Sequence, residues 1–133
     1  MADSLYIHIP FCRRKCTYCD FYSSIYDADA ADRYMSVLLK QLGGLSGTFS
    51  TIYIGGGTPT ALDLNLLGEL FGGLKRFIGT GCEFTMEANP ESISPDKLKA
   101  MTDGGVNRVS VGAQSLRDEK LKKNEVKVTV IAT

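Results

Sequence analysis

Four short apolar runs recur along the chain, and each is followed by a polar loop and then by a stretch with helical spacing. Residues 5–11 form the first run, nearly continuous in apolar character, as expected for a strand covered on both faces, and Pro10 ends it. Residues 20–24 continue as loop. Asp29 is placed to cap a helix over roughly 30–42, with Asp32 in its first turn. Tyr34, Val37, Leu38 and Leu42 make its apolar face, and Gly43-Gly44 stops it. Residues 51–54 form a second strand. Asp63 then opens a second helix whose apolar face is Leu66, Leu67, Leu70, Phe71, Leu74 and Ile78, weakened in its middle by Gly72-Gly73. Residues 83–88 read as a third strand, ended by Asn89-Pro90. Ser94-Pro95 starts a third helix, with proline at the first helical position and Leu98 and Met101 facing inward. Gly104-Gly105 closes it, and residues 108–113 are the fourth strand.

Strand and helix alternate four times, which predicts an α/β fold with a parallel sheet and right-handed crossovers. In such folds ligands bind at the C-terminal ends of the strands. Four polar motifs fall on that rim: Cys12-x3-Cys16-x2-Cys19 after strand one, Gly55-Gly56-Gly57-Thr58-Pro59-Thr60 after strand two, Glu87 through Pro90 after strand three, and Gln114-Ser115 after strand four.

The cysteine spacing is the most specific of these signals. Gaps of three and two residues let one loop aim three sulfurs at a single object, and thiolates favour iron–sulfur clusters, Cu(I) and zinc. A structural zinc site normally takes four protein ligands, whereas this loop offers three and the only other cysteine, Cys82, is far along the chain. Three sulfurs on a four-iron cube leave one iron open to a substrate or cofactor.

The glycine triplet removes side chains and permits positive φ, so it serves either a tight strand-to-helix turn or close approach of a ligand to the backbone, whose N–H and C=O groups would hold an amine and a carboxylate. It is neither a dinucleotide fingerprint nor a phosphate loop. Glu87, at the end of a buried-looking strand, needs a partner or hydrogen bonds, and a structural salt bridge or a helix cap would supply them. Gln114 both donates and accepts. Tyr6 is either a packed strand residue or a group near the rim. His8, the sole histidine, rules against a histidine-built triad or metal site and reads as a hydrogen-bonded strand residue. Cys82 reads as a small buried residue.

Composition narrows the setting. At 133 residues the chain is one domain by length. Fifteen basic and fifteen acidic residues cancel, so nothing points to nucleic-acid or membrane-surface binding. Arg13-Arg14-Lys15 reads as a solvated loop or as local positive charge beside an anionic group. No stretch approaches the ~18 apolar residues of a membrane span, and the first residues do not read as a signal peptide. Four cysteines then read as metal ligands rather than disulfides, which implies a reducing, cytoplasmic location.

The cysteine loop, with Tyr18 before its third cysteine, resembles the cluster loop of the radical S-adenosylmethionine (SAM) superfamily. Leu5-Tyr6-Ile7-His8-Ile9-Pro10-Phe11-Cys12, Cys19-Asp20-Phe21, GGGTPT, MEANPES and VNRVSVGAQS together resemble the oxygen-independent coproporphyrinogen III oxidases and the related HemW-type heme chaperones, over about residues 5–123. The resemblance implies a partial (β/α) barrel with four of an expected six βα units. It implies that Cys12, Cys16 and Cys19 bind a [4Fe–4S] cluster whose open iron chelates SAM. Gly56, Gly57 and Thr58 would contact the methionyl end, Glu87 the ribose hydroxyls, Gln114 the cofactor, and Tyr6 and Tyr18 would lie near the cluster. Reductive cleavage of SAM in this family yields a 5′-deoxyadenosyl radical, which in the oxidase starts decarboxylation of a propionate.

Phe21 stands where oxidases usually carry a further cysteine, and Cys12 lies without their usual N-terminal extension. Both features favour the chaperone branch, with heme as cargo, an acceptor protein and an electron donor as partners. The alternative is an oxidase acting on a porphyrinogen. After Lys123 the similarity ends. Residues 124–133 read as a divergent tail, the family's SAM-contacting arginine would fall at Val126, and the expectation is a truncated or frameshifted product, an inactive fragment being a third reading. Val126, Val128 and Val130 alternate with polar residues, as a fifth strand would, on an edge that is otherwise an aggregation liability.

Overall fold

A computed structural model describes residues 3–12, 24–25, 27–112 and 127–130 of the chain. The strands are β1 (Ser4–Ile9), β2 (Phe11–Cys12), β3 (Ser24–Ile25), β4 (Phe49–Gly56), β5 (Ile78–Ala88), β6 (Arg108–Gly112) and β7 (Lys127–Val130), and the α-helices are α1 (Ala28–Gly43), α2 (Leu64–Leu74) and α3 (Pro95–Asp103). The main sheet has the order β1-β4-β5-β6-β7. Its first four strands are parallel, and β7 runs antiparallel to β6 with Val109 opposite Val130 and Gly112 opposite Lys127. The α/β expectation and the improvised fifth strand are thus both present. The two-residue parallel pair β2–β3 is not expected from the sequence, in which residues 20–24 read as loop.

The order of the parallel strands advances steadily and never reverses. Each right-handed crossover therefore lays its helix on the same side of the sheet. Alternate strand residues confirm this geometry: Ile7, Ile9, Ile52, Ile54, Phe84 and Met86 join Met35, Leu42, Leu67, Leu70, Leu74 and Met101 in one buried cluster. The intervening residues lie on the other face, where Tyr6 is 57% exposed. Strand one is therefore not covered on both faces among the described residues. Tyr6 and His8 supply aromatic rings at the outward positions of an alternating strand, and a hydropathy profile does not separate that from a continuous apolar run.

The helices form where capping and spacing agree. The α1 N-cap is Asp27, whose carboxylate accepts from the Asp29 N–H, so Asp29 belongs to the first turn rather than to the cap. Asp63 caps α2 through the Leu66 N–H at 3.1 Å, as its position predicts. Ser94 caps α3 through the Lys97 N–H at 3.2 Å, with Pro95 at the first helical position. The glycine pair in α2 does not break it. A Cβ on Gly73 would lie 2.7 Å from a Leu39 methyl, so the residue lets α1 and α2 approach closely.

Three inward assignments and one strand boundary change. Val37 is exposed, and Ala31 and Met35 carry the buried face of α1 instead. Ile78 does not continue α2 but opens β5, after a short 3-10 turn over Lys75–Phe77. Leu98 is 42% exposed, while Lys97 beside it is buried. The exchange has a simple cause: the Lys97 stem packs inward and its ammonium donates to the Thr60 carbonyl at 2.7 Å, so the charged end is satisfied. Finally, β5 begins earlier than expected, because residues 79–82 bulge out between the Phe49–Ile78 and Thr51–Glu83 pairs. Asn107 closes that region with its amide, accepting from the Phe84 N–H and donating to the Cys82 carbonyl, each at 2.8 Å.

The two faces of α3 and the core strand give a direct check. Phe84→Ala, at a fully buried position, is expected to cost about 3–5 kcal/mol, whereas Leu98→Ala is expected to stay within about 0.5 kcal/mol. Urea denaturation of both variants measures the contrast, and equal losses would contradict the placement of Leu98 at the surface.

Candidate functional site

The site is built at the C-terminal ends of β1, β4 and β5. Glu87 lies near the end of β5 on the face away from the helices. One of its oxygens, Oε2, accepts from the Tyr53 hydroxyl at 2.6 Å, and the other, Oε1, accepts from the Gly56 N–H at 3.1 Å. These bonds are possible because β4 ends in glycine. A Cβ on Gly55 would meet the Glu87 carboxyl carbon at 2.9 Å and the Tyr53 ring at 2.7 Å. Gly56 has φ +111°, and a Cβ there would lie 2.5 Å from the His8 Nδ1. The first two glycines of the triplet thus make room for a carboxylate and for a histidine ring, and Gly56 also needs a backbone angle that other residues rarely adopt.

The rest of the loop is tied down by β1 and β2. The Gly57 N–H donates to the Ile9 carbonyl at 2.7 Å and the Thr58 N–H to the Phe11 carbonyl at 2.6 Å. The N–H groups of Gly56, Gly57 and Thr58 are therefore all committed, which corrects the expectation that this loop would offer donors to a carboxylate. What it can offer are carbonyl oxygens, each with two lone pairs, and these suit an ammonium group. Behind the loop, Thr60 and Ser92 share a hydrogen bond between their hydroxyls, and the Asn89 N–H donates to the Thr60 hydroxyl at 3.2 Å. With Lys97 on the Thr60 carbonyl, this buried network joins the segment after β4 to the segment after β5.

On the open face, Tyr6 and Tyr53 stand opposite each other on β1 and β4, with rings 5.8 Å apart and inclined by 14°. Tyr6 is thus both a stacked strand tyrosine and a residue beside the rim. His8 follows it on the same face, 6.4 Å away between ring centroids. The His8 carbonyl accepts from the Tyr34 hydroxyl of α1, which fastens the end of β1 to the helix layer. Burial, followed by the hydrogen bond to Glu87 and the charge of that carboxylate, pushes the Tyr53 phenol up to about 12. Tyr6 is raised as well, by partial burial first and by Glu87 second.

Of the residues singled out by the sequence, the structure brings Tyr6, Gly56, Gly57, Thr58 and Glu87 to one corner, with the backbone of Cys12 at the end of β2 immediately after the Phe11 carbonyl that Thr58 holds. Cys16, Cys19, Tyr18 and Gln114 lie outside the described residues. Among the described residues no group of three metal-binding side chains is assembled. Cys82 is buried, as expected, and its thiol is pushed up chiefly by burial. Sequence reasoning missed Tyr53 and Gly55. The signal was present: Thr51, Tyr53 and Gly55 share a strand face, and parallel pairing sets that face beside Thr85 and Glu87.

The chain matches the family model described as the radical SAM superfamily over residues 6–130. It is 39% identical over 128 residues to the heme chaperone HemW of Bacillus subtilis (strain 168), covering 90% of this chain and 34% of that protein. Its likeness to the HemW of Escherichia coli (strain K12) is 40%, with the same coverage, and to the anaerobilin synthase of Escherichia coli O157:H7 it is 32%, over 90% of this chain and 29% of that one. The solved structure of coproporphyrinogen III oxidase (HemN) from Escherichia coli, described as a radical SAM enzyme, superposes with a TM-score of 0.78 at 30% identity, covering 87% of this chain and 29% of that chain. The chain spans about a third of the length of these heme chaperones.

Two outcomes follow from the corner's geometry. Gly56→Ala, which meets both the positive φ and the His8 ring, is expected to lose about 2–3 kcal/mol, while Gly47→Ala, at φ +89° with nothing near its Cβ, is expected to lose about 1 kcal/mol; chemical denaturation separates them. The second concerns alkali. The Tyr53 phenol is raised in the folded state from 10 to about 12, so the unfolded chain releases its proton first, and stability is fully present below pH 10 and falls as pH rises toward 12. Tyr53→Phe should flatten that part of the stability profile, and an unchanged slope would contradict the hydrogen bond to Glu87 as its cause.

Proposed function

Because the chain belongs to the radical SAM superfamily, we propose that its rim is the cofactor site of a HemW-type heme chaperone, with Cys12, Cys16 and Cys19 holding a [4Fe–4S] cluster and the β4–β5 corner holding SAM. The observation that carries this reading is the Glu87 carboxylate, fixed by one donor on each oxygen beside two glycines and on the same rim as Cys12. Each carboxylate oxygen keeps a second acceptor position. One free position on each oxygen matches two neighbouring hydroxyls, as on a ribose.

The donor set fits the cluster. Three thiolates at this spacing are soft ligands, and a cube of four irons held by three of them keeps one iron for a further ligand. When bound, the cluster supplies one-electron chemistry to SAM. The chain's own residues have other tasks. The carbonyls of the glycine loop take the ammonium end of the cofactor, Gly56, Gly57 and Thr58 shape its path, and Gln114, which follows β6 in the chain, supplies an amide. Tyr6 and Tyr18 border the cluster. Cys82 takes no part: its thiol is buried and held in the protonated form.

The chaperone branch is favoured by Phe21 in place of an oxidase's extra cysteine and by heme chaperones at 39% and 40% identity, against 30% for the oxidase structure. Heme is then the cargo, and an acceptor protein and an electron donor are the partners. No helix among the described residues is long and apolar enough to cross a membrane, and a reducing cytoplasm suits thiolate ligands and an oxygen-sensitive cluster. In this reading residues 1–123 are the N-terminal part of a barrel core of six βα units, and 124–133 are a divergent tail.

Anaerobic reconstitution with iron and sulfide tests the site. The chain is expected to take up about four irons with visible charge-transfer absorbance. Cys12→Ala, Cys16→Ala and Cys19→Ala should each lose most of both, and Cys82→Ala should keep them. No absorbance in the unaltered chain would favour an inert fragment. Heme binding without decarboxylation of coproporphyrinogen supports the chaperone branch, and product formation with SAM and a reductant would exclude it in favour of the oxidase.

A further inference from the structure

We infer that Tyr53 is a positioning residue for the cofactor site, aiming the Glu87 carboxylate at two adjacent ligand hydroxyls; this inference rests on the SAM reading of the corner. Among the described residues two fixed donors reach Glu87, one from the backbone and one from a side chain. The Gly56 N–H is part of the backbone and holds Oε1 at 3.1 Å. Oε2 is held at 2.6 Å by the Tyr53 hydroxyl alone among the described side chains. A carboxylate held by one oxygen still turns about its terminal bond. A second donor on the second oxygen stops that rotation and leaves both outer acceptor positions aimed the same way.

Tyr53 is itself held from two sides. Its ring lies against Tyr6 of β1 at 5.8 Å and nearly parallel. Ser110 of β6, the residue paired with Glu87 across the sheet, acts on its hydroxyl from the other side and opposes the rise in its proton affinity. Strands β1, β4, β5 and β6 therefore all bear on the direction of one carboxylate. The phenol's raised proton affinity keeps it a donor throughout the neutral range, so its hold on Glu87 does not lapse with pH there. Gly55 completes the arrangement, since any side chain at that position would push apart the Tyr53 ring and the carboxyl group. A phenylalanine at position 53 would preserve the stack and the fold and would lose only the hydroxyl.

The test is equilibrium binding of S-adenosylhomocysteine and of its 2′,3′-dideoxy counterpart to the cluster-reconstituted chain, for the unaltered protein, Tyr53→Phe, Glu87→Gln and the double variant. Tyr53→Phe is expected to weaken binding of S-adenosylhomocysteine about 3- to 10-fold, the range of one lost hydrogen bond. It should leave binding of the dideoxy compound unchanged and add nothing in the Glu87→Gln background. Equal weakening of both ligands would show a merely structural role, and additive losses in the double variant would show that Tyr53 touches the ligand directly; either result overturns the inference. If the unaltered chain does not distinguish the two ligands, the ribose reading of Glu87 itself fails, and that failure is visible before any variant is made.

Discussion

A carboxylate placed among strands at the end of a sheet has to find donors, because an unpaired one costs several kcal/mol. Glu87 finds them in the Gly56 N–H and the Tyr53 hydroxyl, and much of the local structure is arranged around that requirement. Gly55 has no side chain because the carboxyl group occupies its place. Gly56 has a positive φ and no side chain, which lets the chain pass the His8 ring while its N–H donates to Oε1. The next two N–H groups are then directed back to Ile9 and Phe11, so the end of β4 is bound to the start of the cysteine loop. One partly buried acceptor thus links three segments that are far apart in sequence.

The same corner depends on the one-way order of the sheet. With β1, β4, β5 and β6 advancing in one direction, the crossover helices gather on one face and the other face is left for polar and aromatic side chains. Tyr6, Tyr53, Glu87 and Ser110 occupy that face in adjoining registers. A doubly wound sheet would have put a helix over at least part of them. At the β6 edge the fifth strand pairs antiparallel, satisfying backbone groups that a bare edge would expose. An antiparallel partner also differs in kind from the parallel units before it, so β7 does not continue the βα progression that β1 through β6 establish.

The elements that were legible in the sequence were those carried by local rules. Asp63 and Ser94-Pro95 are caps that work within one helical turn, and the apolar positions of α2 repeat without interruption up to Leu74. The alternation of valines in the tail was enough to anticipate β7. The parts that were not legible depend on distant partners. Lys97 is buried with its ammonium on the Thr60 carbonyl, 37 residues earlier, and Leu98 beside it lies at the surface. Ile78 fits a helical face by spacing, yet it pairs with Phe49 and becomes the first residue of a strand. Within the site, glycines and Glu87 were visible as a motif, whereas Tyr53 became visible only when register set it beside them.

The commitments of the loop's N–H groups also decide what kind of ligand end it can receive. Donors already spent on Glu87, Ile9 and Phe11 have little left for an anion, and the Glu87 carboxylate nearby would repel one. The carbonyl oxygens and that carboxylate instead favour groups that donate: an ammonium at the loop and hydroxyls at Glu87. For both to be met at once, the loop and the carboxylate must keep a fixed spacing. Two connections maintain it. The direct one is the Gly56 N–H on Oε1, and the second runs behind the site through Thr60, Ser92 and Asn89, with Lys97 holding the Thr60 carbonyl from α3. The second connection is buried, so water competes little for its bonds and they are stronger for it. In the proposed reading, selectivity for a ligand bearing both an amine and a vicinal diol follows from that spacing, which the fold sets.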